Sequence, residues 1–142
     1  MRQNTKTIVG AINTNTSGVS TLTAEFDTLG FSFAKIICLS SSTGAVAAAG
    51  TNKVEEGDTT SSYATFAGAI QGTDWTAVTT TNATSLAKLI FNVDLRGRKR
   101  YLKTTFTHAT AGVGEVIIAE LSNPYDGISD TAAAGAANAV GL

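Results

Sequence analysis

The chain has 142 residues, of which 43% are hydrophobic and only 15% charged, and its net charge is −1. That length suits one domain with a core of its own. The near-neutral balance supplies no global field to gather nucleic acid or an anionic membrane. Charge content well below the usual quarter points to a surface carried by neutral hydroxyls or shielded by partners. Thr and Ala together make up nearly a third of the residues. Cys38 is the sole cysteine, so no internal disulfide forms and a stapled secreted scaffold is excluded. One Cys and one His cannot build a zinc site of the usual kind. No apolar run is long enough for a membrane-spanning helix. The start, MRQNTKTIVGAINTNTSG, lacks the apolar core of a signal peptide. These features point to a reducing compartment.

In chain order the pattern is that of strands. β-branched and aromatic residues cluster in short runs between Gly, Ser, Asn and Asp. Residues 6–12, KTIVGAI, give a first strand. Residues 18–27, GVSTLTAEFD, give a second, with Val19, Leu22 and Phe26 as its apolar points. In 31–41, FSFAKIICLSS, Phe31, Phe33, Ile37 and Leu39 share one face, and Ile36 and Cys38 the other. A strand apolar on both faces belongs in the middle of a packed structure. Residues 42–50 read as a loop or irregular crossing, and 51–58, TNKVEEGD, as a strand ending in a turn at Gly57. Residues 62–72 fit a short helix, by the Phe66–Ile70 spacing, or a strand edge. Residues 73–85 carry the sole Trp, Trp75.

The second half alternates clearly. Residues 85–95 put Ala87, Leu89, Phe91, Val93 and Leu95 on one face, with Lys88, Asn92 and Asp94 on the other. Asp94 to Arg98 suits a hairpin with Gly97 in its turn. A strand over 98–108 follows, with Leu102, Thr104 and Phe106 sharing a face. ATAGVG at 109–114 is the next turn, and EVIIAEL at 115–121 the last strand, stopped by Pro124. Residues 126–142 are Ala/Gly-rich and cannot bury much on their own. The reading is therefore one all-β antiparallel sandwich over 11–125, with an N-terminal arm (1–10) and a C-terminal arm (126–142). Periodicity leaves jelly-roll and immunoglobulin-like strand orders both open.

Catalytic chemistry finds little support. His108 stands at a strand end beside a turn, where it reads as a surface residue. Cys38 lies in the most apolar strand and behaves there as a small hydrophobe. Glu55, Glu56 and Asp58 flank Gly57 and could hold Ca²⁺, but their spacing is not that of an EF-hand, and a solvated turn is the plainer reading. No phosphate-loop, dinucleotide, nucleophile-elbow or HExxH motif occurs. A glycan hydrolase would need a carboxylate pair from Glu55, Glu56 and Asp74. The expectation is a protein that is not an enzyme, with no cofactor and no metal.

The sharpest local feature is Arg96, Arg98, Lys99, Arg100 and Lys103, half of all the positive charge in eight residues. Only Tyr101 interleaves them, where single-strand binding wants several aromatics. On a strand the charges would split between two faces, so nucleic acid is not the expected partner. Structural ion pairs with Asp94 or with Glu55 and Glu56, and contact with another protein, are expected in its place.

Four segments together resemble small virion proteins of tailed phages. These are FDTLGFSFAKIICLSS, KVEEGDTTSSY, VDLRGRKRYLKTTFT and GEVIIAEL. The matching positions are Asp27, Thr28, Gly30 and Phe31; Glu56, Gly57 and Asp58; and Asp94, Arg96, Gly97, Lys99, Arg100, Tyr101 and Lys103. The resemblance covers roughly residues 25–122. It departs at 59–84, where Gly72-Thr73-Asp74-Trp75 replaces the usual turn. Such proteins are similar to capsid decoration or cement proteins. The resemblance implies a jelly-roll-like sandwich, bound as a homotrimer to the major capsid protein on the outer surface of a virion assembled in the host cytoplasm. It implies no nucleic acid and no membrane partner. The alternative is a head-fibre or tail accessory module that binds a host-surface glycan, with Trp75 and Tyr63 stacking on sugar.

Overall fold

The computed structural model describes residues 5–15, 20–40, 52–65, 87–108, 113–123 and 138–141. They form nine strands: β1 (Thr5–Asn15), β2 (Ser20–Asp27), β3 (Phe33–Ser40), β4 (Lys53–Thr59), β5 (Ser62–Thr65), β6 (Ala87–Asp94), β7 (Tyr101–His108), β8 (Val113–Ser122) and β9 (Asn138–Gly141). No helix occurs among the described residues. One sheet has the order β1-β8-β3-β6-β9 and the other β2-β7-β4-β5. Every pairing is antiparallel except the outermost, β6 with β9. The chain is an all-β sandwich.

Alternation along each strand builds the layer between the sheets. From one side come Leu22, Ala24 and Phe26 of β2, Val54 of β4, and Leu102 and Phe106 of β7. From the other come Ala34, Ile36 and Cys38 of β3, Leu89, Phe91 and Val93 of β6, and Ile117, Ala119 and Leu121 of β8. Phe26, Phe91 and Phe106 are the largest side chains wholly buried there. Each such side chain contributes about 1.5–3 kcal/mol of hydrophobic stabilisation.

Several expectations change. β6 and β7 do not form a hairpin, because they lie in different sheets. Residues 95–100 are an arch between the layers, and Gly97 takes a left-handed turn conformation within it (φ +78°). The strand expected from residue 98 begins at Tyr101. The N-terminal arm expected to residue 10 is overtaken from Thr5, because β1 pairs with β8 from Thr5↔Ser122 to Asn15↔Val113. Within the expected C-terminal arm, Asn138–Gly141 is β9 on the edge of β6. The expectations for 42–50, 66–86 and Pro124 fall outside the described residues. β3 lies between β8 and β6, as its two apolar faces imply, yet its outer face is only half-buried.

β1 carries a bulge. Its register to β8 shifts between Val9 and Ala11, so Gly10 is the extra residue. A Cβ on Gly10 would stand 2.6 Å from the Cβ of Ala24 and 2.6 Å from the Phe26 ring. The missing side chain lets the edge of one sheet close onto β2 of the other. Gly10→Val should therefore destabilise the fold by about 1–3 kcal/mol through overpacking, read as a lower urea midpoint. An unchanged midpoint would show that β1 moves aside at no cost.

Candidate functional site

The sandwich has two unlike poles. At one lie the β2–β3 turn, the β4–β5 turn, the β6–β7 arch and Asn123 beyond β8. At the other lie the ends of β1, β3, β5 and β7 and the starts of β2, β4, β6 and β8, and the connections between them fall almost entirely outside the described residues. The first pole gathers the residues that the sequence pattern singles out.

Short backbone bonds fix its frame. Thr28 donates from N to the Arg100 carbonyl (3.0 Å), and its hydroxyl donates to the same oxygen (2.6 Å). Phe31 N donates to the Thr28 carbonyl (3.1 Å), closing the turn in which Gly30 is left-handed (φ +89°). Leu95 N reaches the Ser32 carbonyl (2.9 Å), and Arg98 N the Leu95 carbonyl (3.1 Å). Asn123 ties in the third strand end, accepting from Ser32 N (2.8 Å) and donating to the Gly30 carbonyl (3.1 Å). The β2–β3 turn and the β6–β7 arch thus hold each other by their main chains, and the Asn123 side chain ties in the end of β8.

The charged run lies on this frame, and four of its five members meet carboxylates. Arg96 bonds Asp94, its Nε donating at 2.9 Å. Arg98 lies 3.9 Å from Glu56. Lys99 Nζ pairs with Asp58 at 2.8 Å, while its backbone N donates to Glu56 at 3.1 Å. Arg100 grips Asp27 with both Nε (2.9 Å) and Nη2 (2.7 Å), a fork-on-carboxylate geometry. The expected pairings with Asp94 and Glu56 occur; the Asp27–Arg100 pair, across 73 positions, was not anticipated. Lys103 is elsewhere. It lies on the outer face of β7 between Glu25 and Glu55 in register, with its Nζ 5.3 Å from the Tyr63 ring centre. Because Arg98, Lys99 and Arg100 sit in the arch, the split between two strand faces does not apply to them. Their own carboxylates neutralise them instead.

The electrostatics follow. Hydrogen bonding to Arg100 holds the Asp27 carboxyl down at about 2. Arg96 does the same for Asp94, also at about 2. Asp58 in turn raises Lys99. These groups are largely solvated, so their worth to stability is modest.

The remaining candidates separate. Glu55 pairs with Lys53 (2.8 Å), and no cluster of three metal-ligating side chains occurs among the described residues. Cys38 is fully buried, and burial, then the charge of Glu115, pushes its thiol far up. Glu115 is itself buried on the core face, in one row with Asn13 and Ser40 across β1, β8 and β3. His108 ends β7 opposite Ser20. Tyr63 is on β5 with Lys103 over its ring, and burial, then Glu25, raises its phenol. Trp75 and Asp74 lie outside the described residues.

Sequence reasoning missed one surface. On the outer face of the five-stranded sheet, Val9 and Ile12 of β1 pair with Ile118 and Val116 of β8, which in turn pair with Ile37 and Leu39 of β3. Val9 is 56% and Ile12 70% exposed. The signal was present in the two-sided apolar pattern of β3 and β8.

Three outcomes test this account. Arg100→Gln should return the Asp27 titration, followed by NMR, from about 2 towards the ordinary value. Because the folded value lies below the unfolded ~3.9, the pair stabilises fully above about pH 4 and loses its effect as pH falls towards the folded value. Thr28→Val should cost about 0.5–1.5 kcal/mol, since it removes the hydroxyl's bond to the Arg100 carbonyl. Cys38 should react with a thiol reagent only as fast as the protein unfolds; faster labelling would mean the strand opens locally.

No family model matches the chain, and no curated protein is significantly similar to it.

Proposed function

We propose that the chain is a structural virion protein, a capsid cement or decoration subunit that binds the outer surface of a shell of major capsid protein. One observation carries this reading. The segments that resemble phage virion proteins lie far apart in sequence, yet Asp27, Thr28, Glu56, Asp58, Asp94, Arg96, Lys99 and Arg100 meet at a single pole and bond to one another. A pattern that converges in space is more than a chance set of short words.

Two further features support it. The strand orders β1-β8-β3-β6 and β2-β7-β4-β5 pair first with eighth, second with seventh, third with sixth and fourth with fifth. That order supports reading the sandwich as a long hairpin rolled up into a jelly roll, an architecture shared by viral capsid and lectin domains. The aliphatic face of the larger sheet, exposed at Val9 and Ile12 and half-buried at Ile37, Leu39, Val116 and Ile118, suits a broad protein surface better than a small ligand. For the glycan alternative, one face of the Tyr63 ring is taken by Lys103 at 5.3 Å, and Trp75 lies outside the described residues.

The test is co-sedimentation of the purified chain with emptied tailed-phage shells of major capsid protein, run against a glycan array. Saturable binding to shells is expected, and Ile118→Lys on the aliphatic face should weaken it at least ~10-fold. Failure to bind shells together with a glycan hit would overturn the reading.

A further inference from the structure

We propose that β1 is a self-pairing edge, along which two copies of the chain meet antiparallel about a twofold axis. β1 is eleven residues long and, among the described residues, has β8 as its one hydrogen-bonded neighbour in the sheet. Its other side presents a row of backbone donors and acceptors. An edge of this length is ordinarily blunted by Pro, by several charges or by being short. β1 has no Pro and one charge, Lys6. The other edges differ: β2 carries Glu25 and Asp27, and β5 and β9 have four residues each.

The side-chain pattern says which occupant fits. The bulge at Gly10 resets the alternation, so Val9 and Ile12 both point outward, over Ile118 and Val116. Thr7 and Thr14 point outward beyond them. The outward set reads Thr7, Val9, Ile12, Thr14, a palindrome of β-branched residues about Gly10–Ala11. Antiparallel pairing about that centre places Val9 of each copy opposite Ile12 of the other, and Thr7 opposite Thr14. Cross-strand pairs of β-branched residues are the favourable kind. Lys6 falls opposite the Asn15 position, so no like charges meet. In a strand, residues that share a face also aim their backbone groups to the same side. The register that matches side chains therefore also matches donors to acceptors. The two bulges lie at the axis, and the ladder runs to either side of it. Such an isologous contact closes on itself and needs no other partner. It departs from the threefold assembly that the resemblance implies.

The proposal does not depend on shell binding, and its test uses the purified full chain alone. Sedimentation velocity over a concentration series should show a monomer–dimer equilibrium, weakened at least ~10-fold by Ile12→Lys. Val9→Cys combined with Ile12→Cys should give a covalent dimer on oxidation, since Cys38 is buried and inert. Val9→Cys alone should not, because the axis leaves its two copies about 10 Å apart, beyond disulfide reach. Both side chains are exposed, and an unchanged circular dichroism spectrum shows that the variants fold. A monomer at every concentration, a trimer, or equal cross-linking by the single and double variants would overturn the proposal.

Discussion

The side-chain layer between the two sheets is the constraint on which the rest of this molecule depends. Each sheet presents one apolar face, and neither face is tolerable in water alone. Phe26 and Phe106 come from one sheet and Phe91 from the other, and all three are wholly buried between the sheets. Strands consecutive in the chain are never neighbours in a sheet, apart from β4 and β5. Almost every turn therefore has to carry the chain from one layer to the other. The arch at 95–100 and the turn at 28–32 do this at one pole, and their mutual bonds are a consequence of crossing the same gap.

That geometry explains the charged run. An arch spanning two layers exposes its backbone, and long basic side chains reach back to carboxylates on the strands it leaves behind. Asp27 ends β2 and Asp94 ends β6, and each fastens a guanidinium from the arch. The cations are spent within the chain, so the run is a clasp more than a lure for an anionic partner. The surface left over for recognition is the aliphatic one on the larger sheet. If β1 pairs with its copy, that surface continues as one strip across the axis.

How much of this was legible follows from what each signal encodes. Alternation is local, so the core faces of β6 and β7 could be read directly from Phe91 and Phe106, whereas β3, apolar on both faces, did not declare that Ile36 rather than Ile37 points inward. Turn glycines are also local, and Gly30 and Gly97 adopt the conformations that only glycine takes easily. Which strand a turn leads to is not local. Asp94 to Arg98 has the composition of a hairpin, and only the sheet assignment shows it to be an arch. The Asp27–Arg100 pair spans 73 positions and left no trace in spacing. The bulge at Gly10 was illegible for a similar reason: what forbids a side chain there is Ala24 and Phe26, on another strand in the other sheet. β9 was hidden because Asn-Ala-Val-Gly has little strand character until β6 offers it an edge.

The pairing of first strand with eighth has a consequence during synthesis. β1 leaves the ribosome about 100 residues before β8, and at ~5–20 residues per second that is a wait of roughly 5–20 s. For that interval an apolar strand has neither ladder nor core, so the nascent chain is most vulnerable to tangling with its siblings on a polysome. The first strand of the sandwich to be made is thus also the one that, among the described residues, ends at an open flank.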